Sequence, residues 1–202
     1  MRHIWLALST TAVLLLGMPS AFAVPTSFVA FLSGTHENPA NGSPGTGFAE
    51  VELDLGAQTM HVHVTFGGLL GTTTASHIHC CETAPGLNDN VMVATTVPTF
   101  PGFPLVVHSG TYDQIFDLTL ASTYNPAFVT AHGGTVAGAE AALVAGIENV
   151  ETYLNIHTTQ FPGGEIRGAL VAPEPTSLVL LGSALLFLGL VRRRLNNEPG
   201  GH

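Results

Sequence analysis

GFAEVELDLGAQTMHVHVTF (residues 47–66) alternates apolar and polar side chains on both sides of a short GAQ turn. Ala49, Val51, Leu53 and Leu55 fall on one face of the first arm, and Glu50, Glu52 and Asp54 on the other. On the return arm Met60, Val62, Val64 and Phe66 face one way, and His61 and His63 the other. A period of two belongs to a strand with one buried and one wet face, so the stretch reads as a β-hairpin. Its charged face predicts pairing of His61 and His63 with Glu50, Glu52 and Asp54 across the hairpin.

Outward from the hairpin the same grammar continues. SFVAFLSG (27–34) reads as a first strand, and GTHENPANGSPGTG (34–47) as a turn-rich loop. ASHIHCC (75–81), VMVATTV (91–97), QIFDLTLA (114–121), TYLNIHTT (152–159) and GEIRGALV (164–171) supply further strands between Gly-, Pro- and Thr-rich turns. Residues 98–110 are crowded with Pro and Gly and predict a long irregular loop. TVAGAEAALVAGIEN (135–149) differs in kind: Ala-rich, with Thr135 placed to cap it, it predicts the domain's single helix. The whole is expected to be all-β, a sandwich with one short helix.

Both ends of the 202-residue chain read as processing segments. Arg2 and His3 precede an apolar run from Ile4 to Leu16, then Gly17, Pro19 and Ala21-Phe22-Ala23. A basic start, a short apolar run and an A-x-A site predict a signal peptide over 1–23, handled by the Sec translocon and signal peptidase. The other end, PEPTSLVLLGSALLFLGLVRRRLNN, carries an uncharged run over 177–191. As a helix that run reaches about 22 Å, nearly the hydrocarbon thickness of a bilayer. Pro173-Glu174-Pro175, the apolar run and Arg192, Arg193 and Arg194 together resemble the PEP-CTERM sorting signal of Gram-negative bacteria. The resemblance implies membrane contact through that helix, recognition by an exosortase, and delivery to the cell surface or its exopolysaccharide matrix. The basic end predicts a cytoplasmic C-terminus before processing. The boundaries are then 1–23, a folded domain over 24–172, and a sorting segment over 173–196.

The domain over 24–172 contains twelve Asp and Glu, no Lys, and Arg167 as its one strong base. Such a surface repels phosphate backbones, which argues against nucleic-acid binding. Neither a G-x-S-x-G elbow nor a nucleotide loop nor an H-E-x-x-H helix is present. The acids are scattered, and no pair of them points to glycosidase chemistry.

What chemistry remains is in the histidines. In SHIHC the period of two sets His77 and His79 opposite Ile78. In YLNIHT it sets Tyr153, Asn155 and His157 opposite Leu154 and Ile156. If the two strands lie together, three imidazoles converge, a common set for copper or zinc. The alternative is three histidines that hydrogen-bond neighbouring loops. Cys80 and Cys81 adjoin the first pair, and in an oxidising compartment they form a vicinal disulfide, remain thiols, or bridge to another chain. Glu165 and Arg167 predict a clamp on the closing strand, through a mutual ion pair or bonds from the guanidinium to loop carbonyls. The functional alternative for Arg167 is an anion-binding group beside the histidines.

FLSGTHENPA, GTGFAEVEL, SHIHCCETAPG and YLNIHTTQFPGGEIRGAL together resemble the CHRD domain over most of 27–171. That resemblance implies a sandwich related to immunoglobulin-like folds and a non-enzymatic binding or structural role with no required cofactor. A fainter likeness is to copper–zinc superoxide dismutase. GGLLGTTTASHIH and NIHTTQFPGGEIRG follow the family's order of turn, H-x-H, late His, Gly-rich loop and Arg. It implies copper on His77, His79 and His157 and an anion-guiding Arg167. ETAPGLNDN has no counterpart of that family's zinc segment, and the long-range disulfide is missing, so no zinc site is expected.

Overall fold

The computed structural model describes residues 24–173, apart from 84 and 86–88. The signal-peptide reading of 1–23 lies outside these residues. So do Glu174, Pro175, the apolar run and Arg192, Arg193 and Arg194; Pro173, at the edge, is exposed. No helix among the described residues is long and apolar enough to cross a membrane.

The strands are β1 (Thr26–Ser33), β2 (Thr46–Asp54), β3 (Thr59–Gly67), β4 (Thr73–Cys80), β5 (Gly110–Asp117), β6 (Thr152–Thr158) and β7 (Ile166–Ala169). They form one seven-stranded antiparallel sheet in the order β4-β6-β7-β1-β2-β3-β5, curled into a half-barrel. The hairpin read from the sequence is β2–β3, with Glu50 opposite His63 and Glu52 opposite His61. Ala49, Val51, Leu53, Met60, Val62, Val64 and Phe66 are all buried, whereas Leu55 lies in the turn and is exposed. β1 joins β7 only at Ser33 opposite Arg167, with a bridge from Val29 to Val171 nearby, so the sheet bends there into two halves. Ile78, Leu154 and Ile156 from one half share a core with Val51, Val62 and Val64 from the other.

Two parts of the expected architecture are corrected. A second helix, α1 (Pro126–Ala131), precedes α2 (Val136–Glu148). Asn125 caps α1 by accepting from the Ala127 amide, and Pro126 takes the first position, where a missing N–H costs nothing. Thr135 caps α2 through the Gly138 amide, as the sequence predicts. The residues 91–97 form no regular strand. They run beside β4 by isolated contacts, with Val93 opposite His79 and the Ala94 amide donating to the Ile78 carbonyl.

The Pro- and Gly-rich loop after Pro98 is irregular but not idle. It drives Phe100 and Phe103 into the core, where Phe100 stacks on Tyr112 and Phe103 on Phe66, at 5.6 and 5.4 Å between ring centres. Burying one such ring stabilises by about 1.5–3 kcal/mol, and backbone bonds from the Phe100 amide to the Ser76 carbonyl and between Thr73 and residues 106–107 hold the loop against β4. α2 turns Ala139, Leu143, Gly146 and Ile147 inward, a helical stripe. At Gly146 a Cβ would stand 2.5 Å from Cys80 Sγ and 2.9 Å from Cys81 Sγ, so only glycine lets the helix approach so closely.

Candidate metal centre

β4 and β6 lie side by side with His77 opposite Asn155, His79 opposite Tyr153 and Ala75 opposite His157. One face of this pair carries Ile78, Leu154 and Ile156 into the core; the other carries His77, His79, Tyr153, Asn155 and His157. The sequence predicts that division. It does not predict that the second face is covered too: His77 and His79 are only 6% and 8% exposed.

The cover is backbone. His77 donates Nε2–H to the Pro98 carbonyl at 2.6 Å, and His79 donates Nδ1–H to the Val91 carbonyl at 2.7 Å. His157 donates Nδ1–H to the Pro162 carbonyl at 2.9 Å. Each bond fixes a tautomer and leaves the other nitrogen as an acceptor. Those remaining nitrogens, His77 Nδ1, His79 Nε2 and His157 Nε2, are buried and have no partner. One nitrogen from each of the three rings lies within 4.8 Å of the others, and the ring centres stand 5.3 to 6.1 Å apart.

Electrostatics keep the rings uncharged. Burial pushes the imidazolium forms of His77 and His79 down to about 4. The Pro98 and Val91 carbonyls pull back upward, and His157 repels a second charge on both. Burial lowers His157 as well, against its Pro162 carbonyl. At neutral pH three neutral, tautomer-locked imidazoles therefore face one another. A backbone carbonyl on the far nitrogen is how ligating histidines are commonly oriented.

Arg167 is fully buried. The carboxylate it faces is Glu37, with Nε to Oε2 at 3.8 Å, rather than Glu165. Its Nε donates to the His36 carbonyl at 2.6 Å and one terminal nitrogen to Asn90 Oδ1 at 3.0 Å. The guanidinium lies 4.5 Å over the Tyr153 ring, and the His79 ring stacks on that same ring at 4.7 Å. His79 comes from β4 and Arg167 from β7, on either side of β6, so the phenol ring is held between cation and imidazole.

Glu165 has its own role. It accepts from Ser43 Oγ at 2.6 Å, Thr158 Oγ1 at 2.6 Å, and the Leu70 and Gly71 amides at 2.6 and 3.1 Å. Burial alone would raise its pKa, but these four bonds together hold it below the ordinary carboxylate range. It ties the 67–72 turn and the 41–45 loop to the end of β6.

Glu37 and Asn155 are the residues that sequence reasoning passed over. Glu37, in the turn-rich loop, is buried against Arg167, and burial lifts it to about 7 although the guanidinium pulls it down. At Gly164 a Cβ would fall 2.5 Å from Glu37 Oε1, and φ there is +134°, so this position suits glycine twice over. Asn155 is 2% exposed, and its Oδ1 is buried without a partner. The period of two does place it on the histidine face; no spacing rule marks an Asn there as a ligand.

Cys80 and Cys81 are joined to each other. The outer pair, His61 and His63, binds a different carboxylate from those expected. Both hydrogen-bond to Asp113 of β5, at 2.9 and 3.0 Å, instead of Glu50, Glu52 or Asp54.

No curated protein and no solved structure matches the chain. The CHRD domain matches residues 28–170, from β1 through the end of β7, and takes in every residue of the histidine cluster. The chain belongs to the CHRD domain family.

Proposed function

We propose that the CHRD domain is the metal-binding part of an exported surface protein, and that His77, His79 and His157 hold one copper ion. One observation carries this reading: three imidazoles, each with a buried nitrogen that has no partner, bring one nitrogen apiece within 4.8 Å of one another. Three stranded acceptors crowded together are unfavourable unless something electron-poor lies among them. A metal at 2.0–2.1 Å from each nitrogen needs them about 3.5 Å apart, so binding draws the rings inward by up to about 1 Å. The ligand set is neutral and nitrogen-rich, with no carboxylate or thiolate among the three. Such a set suits copper above the other divalent first-row metals.

The wider reading is a signal-peptide-exported protein, sorted by an exosortase through Pro173-Glu174-Pro175 and the arginines of its tail. Its place is then the surface or exopolysaccharide matrix of a Gram-negative bacterium. The half-barrel serves as a sandwich of the immunoglobulin and superoxide-dismutase kind, bent where β1 meets β7. The role is binding rather than catalysis. An anion-guiding arginine is the part of the dismutase analogy with least support, because Arg167 has no exposed surface and faces Glu37.

Metal analysis tests the proposal directly. Protein purified from the periplasm of a copper-replete host is expected to carry about one copper per chain, and His157→Ala to carry none. Metal-free wild-type protein under those conditions would leave the histidines a structural role alone.

A further inference from the structure

The structure assigns a fourth ligand to this centre: we propose that the side-chain oxygen of Asn155 coordinates the metal. The inference rests on the three-histidine reading above. Asn155 stands directly across from His77 in the β4–β6 register and two residues before His157 on the same face. It also lies close enough to His79 to act on that ring as a hydrogen-bonding side chain. Its Oδ1 is buried without a partner, like the facing nitrogens of all three histidines. Four stranded acceptors on one patch of sheet, with no donor supplied to any of these atoms, have a common explanation in one cation that accepts from all four. Stranded groups of this kind are uncommon in native interiors, and finding four together is less expected still.

The chemistry of the donor set gives the site a character. Three imidazoles and an amide oxygen carry no charge, so the bound ion keeps its own. Glu165 is engaged with the 41–45 and 67–72 segments and Glu37 faces Arg167, and among the described residues neither they nor the buried Glu82 brings a carboxylate oxygen into the group formed by the three imidazoles. Hard cations such as Ca²⁺ and Mg²⁺ rely on carboxylates and water, so this set turns them away and favours copper, zinc or cobalt. The weak fourth donor also makes Asn155 the position at which selectivity is tuned.

The test uses the full exported protein, stripped with chelator and reloaded with Cu²⁺ or with Co²⁺ as a spectroscopic probe. Asn155→Leu removes the oxygen at similar volume. It is expected to change the visible cobalt spectrum and the copper paramagnetic spectrum, and to weaken metal affinity about 10- to 100-fold. The metal-free variant should be no less stable than wild type, since a stranded polar group has gone. Asn155→Asp supplies a charged oxygen and should bind both ions more tightly. A purely structural Asn155 would do the opposite: stability of the metal-free protein would fall while both spectra stayed as they were. Wild-type affinity and spectra in Asn155→Leu overturn the assignment, and so does unchanged affinity in Asn155→Asp should the leucine variant fail to fold. Loss of metal in His157→Ala with none of these Asn155 effects sinks the fourth ligand and leaves the three histidines standing. A wild-type protein that takes up neither ion sinks both.

Discussion

The chain carries the same H-x-H pattern twice, and the two copies live in opposite environments. His61 and His63 sit on β3, on the outer face, with about a third of each side chain exposed and a shared carboxylate in Asp113. His77 and His79 sit on β4, under backbone from the 91–98 segment, with no carboxylate partner. Strand periodicity is identical in both. What differs is whether a loop returns over the face. Open to water, two imidazoles form ordinary pairs with an aspartate. Covered, they lose water, gain carbonyls on one nitrogen, and present the other to an interior space shared with His157. Chemistry at this site is thus set by the covering loops and only then by the spacing.

The comparison breaks first where the cover is pinned. Arg167 holds the 36–37 and 89–90 backbone onto the histidine face through the His36 carbonyl, Asn90 and Glu37. Arg167→Ala removes the cation and leaves Glu37 buried beside a void. Removing one partner of a buried pair costs about 3–5 kcal/mol. Urea denaturation of the variant should show a loss of that size, and metal affinity should fall with it as the Tyr153 ring behind His79 loses the cation that packs on it. A loss below about 1 kcal/mol would mean that the clamp does not hold the cover.

Acid should destabilise the fold through the covered pair rather than the open one. His77 and His79 have folded pKa values of about 4, below the 6.5 of the unfolded chain. Between those values the unfolded state binds more protons at these two sites, so their contribution to stability is lost as pH falls from 6.5 towards 4. Glu37 works against them. Its folded pKa of about 7 lies above the unfolded 4.5, so the folded state holds the extra proton and stability is lost as pH rises from 4.5 to 7. Among these three groups the balance in the shared window is one net proton towards the unfolded chain, a slope of up to about 1.4 kcal/mol per pH unit, and His157, lowered as well, adds in the same direction. Glu37→Gln removes the opposing group and should steepen the slope between pH 4.5 and 6.5. The measurement is denaturation of metal-free protein as a function of pH, and a flat profile would contradict the buried-neutral state of both rings.

Much of this was legible in the residues. The period of two sorted His77 and His79 from Ile78, and Asn155 and His157 from Leu154 and Ile156, because a strand has only two faces. Thr135 marked the start of α2 because a hydroxyl there can reach an amide three residues on. What could not be read were the long-range partners. Glu37 meets Arg167 across the whole domain, and nothing in THENPANG distinguishes it from a solvated acid. Asp113 displaced Glu50 and Glu52 as the partner of His61 and His63 because β3 lies between β2 and β5, and either neighbour could have supplied the carboxylate. α1 was missed because six residues are too few for a helical stripe to show, although Asn125-Pro126 gave its start.

The vicinal cysteines sharpen the comparison at its rear. α2 approaches Cys80 and Cys81 through Gly146, on the side of β4 away from the histidines. Gly146→Ala forces the helix outward or the sulfurs aside. Overpacking of this kind costs about 1–3 kcal/mol. Because the helix does not touch the metal-facing side, stability should drop while metal affinity stays within about twofold of wild type. A large loss of affinity would show that the back of β4 sets the geometry of its front.

The smallest effect belongs to the open pair. His61→Ala with His63→Ala removes two rings from the surface of β3 and frees Asp113, which water can solvate at once. The two imidazole hydrogen bonds hold Asp113 below its usual range, and that depression should vanish in the variant. Nothing buried is left unpaired, so the denaturation midpoint should move no more than for ordinary surface substitutions. Copper stoichiometry should remain that of wild type, read by metal analysis on the same preparation as His77→Ala with His79→Ala. If the outer pair were the one whose loss emptied the protein of copper, then spacing and exposure, not cover, would decide which H-x-H binds.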